Sequence, residues 1–111
     1  PQLDAVFGES DAMAMGASKA AKAAGRKIFS VGIDGFPTMF DAVESGLSQG
    51  TMAQQPYKMG QLAVRNAIAL MNGEGDDIPQ EQYQDAILIN SSTIKTREVE
   101  EFYGPDAQSF K

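Results

Sequence analysis

Three polar clusters punctuate the apolar runs of this sequence: Glu9-Ser10-Asp11, Asp34 and Gln54. Each closes a short apolar stretch. Leu3 to Phe7 leads into Glu9, the run of Ile28, Phe29, Val31 and Ile33 leads into Asp34, and Gly50 to Ala53 leads into Gln54. A carboxylate and a side-chain amide together suit a polyhydroxy ligand. Asp34 can accept from two hydroxyls, and Gln54 can both donate and accept. Hydrogen bonds to a charged partner are worth about 1.5–3 kcal/mol each. Two carboxylates, Asp11 and Asp34, could instead hold a metal or do acid–base work. The sequence shows no paired acid spacing, no phosphate-cradling glycine loop and no activated nucleophile for such chemistry. The plainer alternatives are that Asp34 caps the next turn and that Ser10 or Asp11 caps the helix that follows it.

Whether these clusters meet depends on the elements between them. Lys27 to Pro37, KIFSVGIDGFP, reads as a strand buried on both faces, then an Asp-Gly turn, then a helix with Pro37 in its first turn. Ahead of it, Leu3–Phe7 reads as a strand. A helix from about Ala12 to Ala24 follows, with Met13, Ala17, Ala20, Ala21 and Ala24 as its apolar stripe and Gly25 as its end. After Pro37 the helix runs to about Ser45, its apolar side made by Met39, Phe40 and Val43. Gly50 to Gln54 is a third strand. Strand, helix, strand, helix, strand is the pattern of a parallel sheet. In such a sheet the strand ends lie side by side, and ligands bind in the crevice there. The three polar clusters therefore converge on one rim.

Pro56 then breaks the chain, and a longer helix spans about Tyr57 to Asn72. Its stripe of Met59, Leu62, Ala63, Ile68 and Met71 is widened by Val64, Ala67 and Leu70. A polar loop at Gly73 to Asp77 leads to a strand within Tyr83–Asn90. Thr96 or Ser92 is placed to cap a short helix around Arg97 to Tyr103, with loose chain beyond Gly104.

Composition narrows the function classes. The 111 residues make one small domain's worth of chain. With no cysteine there is no disulfide framework and no thiol nucleophile. With no histidine there is no Ser-His-Asp triad and no His-ligated metal. No cofactor is expected. A net charge of −6 argues against a nucleic-acid partner. No stretch is long enough to span a membrane. The opening PQLDAVF starts a strand at once and shows no signal peptide, so the chain reads as a piece of a longer one.

In order along the chain, DAVFGESDAMAMGASKAAKAAGRK, VGIDGFP, DAVESG and GTMAQQPYKMG resemble the C-terminal part of the type I, ribose-binding-like sugar-binding proteins of ABC transporters. The resemblance runs from about Leu3 to Ile94. It implies an α/β fold: a parallel-sheet, Rossmann-like, three-layer lobe, joined to a second lobe by three crossing segments and closing on a sugar at the hinge. It implies that Asp34 is the sugar-binding aspartate of the Gly-x-Asp-Gly turn. Gln54 would be the glutamine before the hinge proline that contacts sugar hydroxyls. Ser10 stands where many members carry a ligand-binding Asn. Asp11 opens the helix and is structural. Residues 1–54 would be part of the C-terminal ligand-binding lobe. Residues 55–80 would form a hinge crossing and a helix of the N-terminal lobe. Residues 81–111 would supply a strand that helps rebuild that other lobe's sheet, the last crossing and a tail. The family's stacking aromatics would lie mainly in the other lobe.

The implied protein is no enzyme. It is a sugar- or polyol-binding component of an ABC importer with the transporter permease as partner, periplasmic or extracellular, with a lipid anchor as one form of either. The effector core of a LacI-type regulator shares the fold and is the alternative. Those cores usually read Phe-Asp-Asp where this chain has Ile33-Asp34-Gly35, and often Arg-Gln-Pro where it has Gln54-Gln55-Pro56. A small α/β enzyme or phosphoacceptor domain using Asp11 and Asp34 is the third reading, and it lacks the needed lysine. Alone, the chain is expected to bind sugar weakly. It is also expected to form a homodimer, swapped through Gln54 to Tyr57, unless the Tyr57 helix folds back on its own sheet.

Overall fold

A computed structural model describes residues 2–96 and 102–105. The elements are β1 (Ala5–Phe7), α1 (Asp11–Ala23), β2 (Phe29–Asp34), α2 (Pro37–Glu44), β3 (Gly50–Ala53), α3 (Pro56–Met71), β4 (Ile87–Asn90) and a 3₁₀ turn at Ile94–Thr96. One four-stranded sheet has the order β1-β2-β3-β4. The first three strands are parallel, with Phe7 paired to Val31 and Asp34 paired to Ala53. Parallel neighbours need a crossover, and α1 and α2 provide one each.

β4 corrects an expectation. It was expected to rebuild the sheet of the other lobe, but it lies antiparallel beside β3 in this same sheet, Met52 opposite Leu88. An antiparallel edge strand on a parallel sheet is common. Sequence reveals such a strand but not its neighbour. The short helix expected around Arg97 to Tyr103 falls mostly outside the described residues, although Phe102 and Tyr103 themselves are helical.

Alternation along the strands divides the sheet into two faces. Ser30, Thr51, Ala53 and Ile89 are buried under the helices. There Phe40, Val43, Ala53, Ile89, Ile94 and Phe102 form one core cluster, and Ala14, Met39 and Ala42 a second. The opposite face carries Phe7, Phe29, Val31, Met52 and Leu88, all exposed, with Phe29 68% exposed. So β2 is not buried on both faces, as its apolar run led one to expect. The described residues supply two layers of the expected three.

The buried face of α1 also differs from its predicted stripe. Met13 is 61% exposed, while Asp11, Ala14 and Ser18 are buried. In an alanine-rich helix several faces are similarly apolar, so the phase is set by partners. Ser18, Ser30 and Ser48 join hydroxyls between α1, β2 and the α2–β3 loop, the first pair 2.5 Å apart and the second 3.0 Å. Small hydroxyls bring helix and sheet together and leave these buried polar groups paired.

Helix α3 has no buried residue. The fold-back on its own sheet is therefore not observed. The chain has a radius of gyration of 17.5 Å and extents of 60 × 32 × 20 Å. A compact chain of this length would have a radius of about 13 Å. The segment returning from α3 runs along it, with Asn66 Nδ2 donating to Gln82 Oε1 at 2.6 Å. At the base of α3, buried Gln55 donates through Nε2 to the Asp85 carbonyl at 2.8 Å. That bond ties the outgoing crossing to the returning one.

Candidate ligand-binding site

Because β2 and β3 are parallel, their carboxyl ends reach one rim together. Gln54 Nε2 donates to Asp34 Oδ1 at 2.9 Å, and the Gln54 backbone N–H donates to the Asp34 carbonyl at 3.0 Å. The structure thus brings together two of the three expected site residues. The third, Ser10, is the N-cap of α1, its Oγ accepting from the Met13 N–H at 3.3 Å. It does not line the cavity described below.

Asp34 has a backbone φ of +119°, the only positive value at a non-glycine among the described residues. Such conformations cost about 1–3 kcal/mol and persist where the surroundings enforce them. Here the enforcement is visible. Asp11, the first residue of α1, lies fully buried beneath the turn. Its Oδ2 accepts the N–H of Gly35 at 2.8 Å and the N–H of Phe36 at 2.7 Å. From the other side the Tyr103 hydroxyl donates to the Gly35 carbonyl. Asp11 is therefore a clamp on the turn, and capping α1 falls to Ser10.

The clamp is electrostatically loaded. Burial pushes the Asp11 carboxyl above its ordinary pKa, and the Asp34 charge adds to the rise. The Thr51 hydroxyl and the two backbone N–H groups pull the other way. Asp11 Oδ1 and Thr51 Oγ1 are both buried, and neither makes a hydrogen bond of ordinary geometry. The Thr51 contribution is thus one of proximity. The Tyr103 hydroxyl is pushed up to about 12, first by burial and then by the charges of Asp11 and Asp34.

Asp34 and Gln54 line a cavity of about 350 Å³ with Phe36, Pro56, Met59 and Tyr103. Two polar groups that accept and donate thus sit among apolar and aromatic walls, the usual make-up of a small-molecule site. A larger cavity of about 650 Å³, between Arg26 and Gln49 at the amino end of β2, contains none of the rim residues. Among the described residues no cluster of three acidic, histidine or cysteine side chains could hold a metal ion.

Sequence reasoning missed four wall residues. Phe36 adjoins the Asp-Gly turn and was legible from its position. Pro56 and Met59 depend on the direction in which α3 leaves the sheet. Tyr103 reaches Gly35 across 68 residues, and no spacing in the sequence signals that contact.

Residues 1–75 match the family model described as the periplasmic binding protein domain. The chain is similar to the ribose import binding protein of Haemophilus influenzae, 43% identical over 72 residues, covering 65% of this chain and 25% of that protein. Among solved structures it is similar to an ABC transporter periplasmic solute-binding protein from Actinobacillus succinogenes with bound D-allose. There the TM-score is 0.79 at 30% identity, covering 85% of this chain and 33% of that one. A solute-binding protein from Bacillus halodurans with bound myo-inositol gives a TM-score of 0.77 at 26% identity, covering 86% and 33%. The chain spans about a quarter of the length of the curated relative and a third of the two structures.

Proposed function

Because the chain belongs to the periplasmic binding protein domain family, we propose that it is the C-terminal part of a two-lobe, sugar- or polyol-binding component of an ABC importer. It is a binding module and no enzyme. The observation that carries this reading is the pair of Asp34 and Gln54, 2.9 Å apart on the rim of a cavity. Asp34 is the main ligand anchor. Gln54 is the second contact and stands at the hinge, and Ser10 serves as the helix cap. Residues 1–54 belong to the ligand lobe, and residues 55–80 carry the crossing and the helix that engages the other lobe. The relatives favour import binding over a LacI-type regulator: one is a ribose import binding protein, and the structures hold D-allose and myo-inositol. The partner is the transporter permease, and the location is the periplasm, or the cell exterior on a lipid anchor.

Calorimetric titration of the two-lobe protein with pentoses, hexoses and sugar alcohols tests the reading. At least one should bind with micromolar affinity, and a panel with no binder would overturn it. In the same protein Gln54→Ala should weaken binding about three- to tenfold, the range one hydrogen bond commands. It should also raise the open population, since closure is driven by contacts made better in the closed form. Matching affinities and scattering profiles would remove Gln54 from the hinge.

We further infer that the 111-residue chain alone associates as a homodimer. Two apolar surfaces support this, the exposed sheet face of Phe7, Phe29, Val31, Met52 and Leu88, and helix α3 with no buried residue. Surfaces of this kind mark association sites, and exchange of identical elements covers both at low cost. Light scattering at micromolar concentration should give about twice the monomer mass of 11.9 kDa. A clean monomer that binds sugar at micromolar affinity would refute the inference.

A further inference from the structure

The turn at Asp34–Gly35 is held at both ends of one peptide plane. Asp11 takes the N–H groups of Gly35 and Phe36, and the Tyr103 hydroxyl takes the Gly35 carbonyl. Asp11 belongs to an element adjoining the sheet. Tyr103 does not, and nothing in chain connectivity places it there. Its neighbours do. Phe102 is buried in the core, its ring centroid 6.0 Å from that of Phe40. On the other side Gly104 lies against Tyr57 in the first turn of α3, where an added Cβ would stand 2.6 Å from two ring carbons. Gly104 also has a φ of +85°. The segment 102–104 is thus pinned on the sheet side by Phe102 and on the helix side by Gly104. Tyr103 stands between these anchors, beside Asp34 and Gln54 in the wall of the cavity.

We infer that Tyr103 is a positioning residue of the ligand site: its hydroxyl fixes the Gly35 carbonyl, and so keeps Asp34 in the positive-φ conformation that faces its carboxylate toward Gln54. The inference rests on the reading of Asp34 as a sugar or polyol anchor. It adds a residue that neither the motif around Asp34 nor the hinge proline indicates. It also means that one short segment touches both the ligand turn and the base of α3. A shift of α3 relative to the sheet during closure is then felt at Asp34 through residues 102–104.

The test is Tyr103→Phe, which removes one oxygen and keeps the ring. In the two-lobe protein, affinity for the best-binding sugar should fall about two- to tenfold, as expected for loss of one hydrogen bond. The thermal midpoint should stay within a few degrees of the unsubstituted protein. In nitrogen–proton correlation spectra the Phe36 amide should shift most, because it shares a peptide plane with the Gly35 carbonyl that has lost its anchor, and the neighbouring amides of residues 34 and 35 should shift with the turn. If Tyr103 contributed packing alone, Tyr103→Phe would bind as the unsubstituted protein does and leave those amides in place. That result overturns the inference. If the unsubstituted protein binds no sugar or polyol, the functional reading falls separately, and the amide shifts still decide whether Tyr103 positions the turn.

Discussion

Replacing Asp34 with alanine should cost the two-lobe protein at least tenfold in sugar affinity while the fold stays intact. The carboxylate sits on the rim, partly exposed, with Gln54 as its hydrogen-bond partner. Each hydrogen bond it makes to a ligand hydroxyl contributes about 1.5–3 kcal/mol, and about 1.4 kcal/mol is tenfold in affinity. Its φ of +119° adds a second expectation. Alanine at that position keeps the steric penalty of a Cβ in a left-handed conformation, whereas glycine does not. Asp34→Gly should therefore lose binding like Asp34→Ala yet melt above it. Unchanged affinity in either folded variant would remove Asp34 from the site. An alanine variant more stable than the glycine one would show that the backbone there is unstrained.

The largest effect on stability is expected at the next residue. Gly35 has a φ of +84°, and a Cβ built on it would stand 2.4 Å from Ala53 Cβ and 2.8 Å from Ala53 Cα. Gly35→Ala thus meets two penalties. The left-handed backbone costs about 1–2 kcal/mol for an L-residue. Pushing β3 away from the turn adds about 1–3 kcal/mol of overpacking. A loss of about 3 kcal/mol is a large share of the 5–15 kcal/mol that typically holds a domain together. Urea denaturation should show it as a fall in midpoint at constant slope. Adding Ala53→Gly should recover only the share of the packing loss that comes from Ala53 Cβ, leaving the close approach to the residue-53 Cα and the backbone penalty. A single-variant loss below about 1 kcal/mol would contradict the close approach of the turn to β3.

The parts legible in the sequence are those set by local physics. Pro37 stands in the first turn of α2, and Met39, Phe40 and Val43 are buried as their spacing predicts; Pro56, read as a break ahead of the next helix, is itself the first residue of α3. The convergence of Asp34 and Gln54 followed from strand order alone. What stayed hidden depends on partners distant in the chain. Met13 was placed in the core because an alanine-rich helix offers several similar faces, and the choice was made by hydroxyls on β2 and the α2–β3 loop. Asp11 read as a cap because its true partners, the amides of Gly35 and Phe36, lie more than twenty residues on. The apolar run of β2 recorded a demand for cover on both faces, and the helices of this chain meet it on one. Tyr103 reads only as part of the apolar side of a short helix, and nothing in the sequence signals its contact with Gly35.

That last contact has a consequence for the order of events during folding. β1, β2 and β3 pair with their nearest successors in the chain, so most of the sheet assembles from contacts of modest separation. The Tyr103–Gly35 hydrogen bond closes a loop of 68 residues, and the entropy of closing such a loop must be met before the contact rewards it. The sheet is therefore an early product and the finished ligand turn a late one. A chain cut short of residue 103 would carry Asp34 and Gln54 on a formed scaffold with the Tyr103 clamp missing.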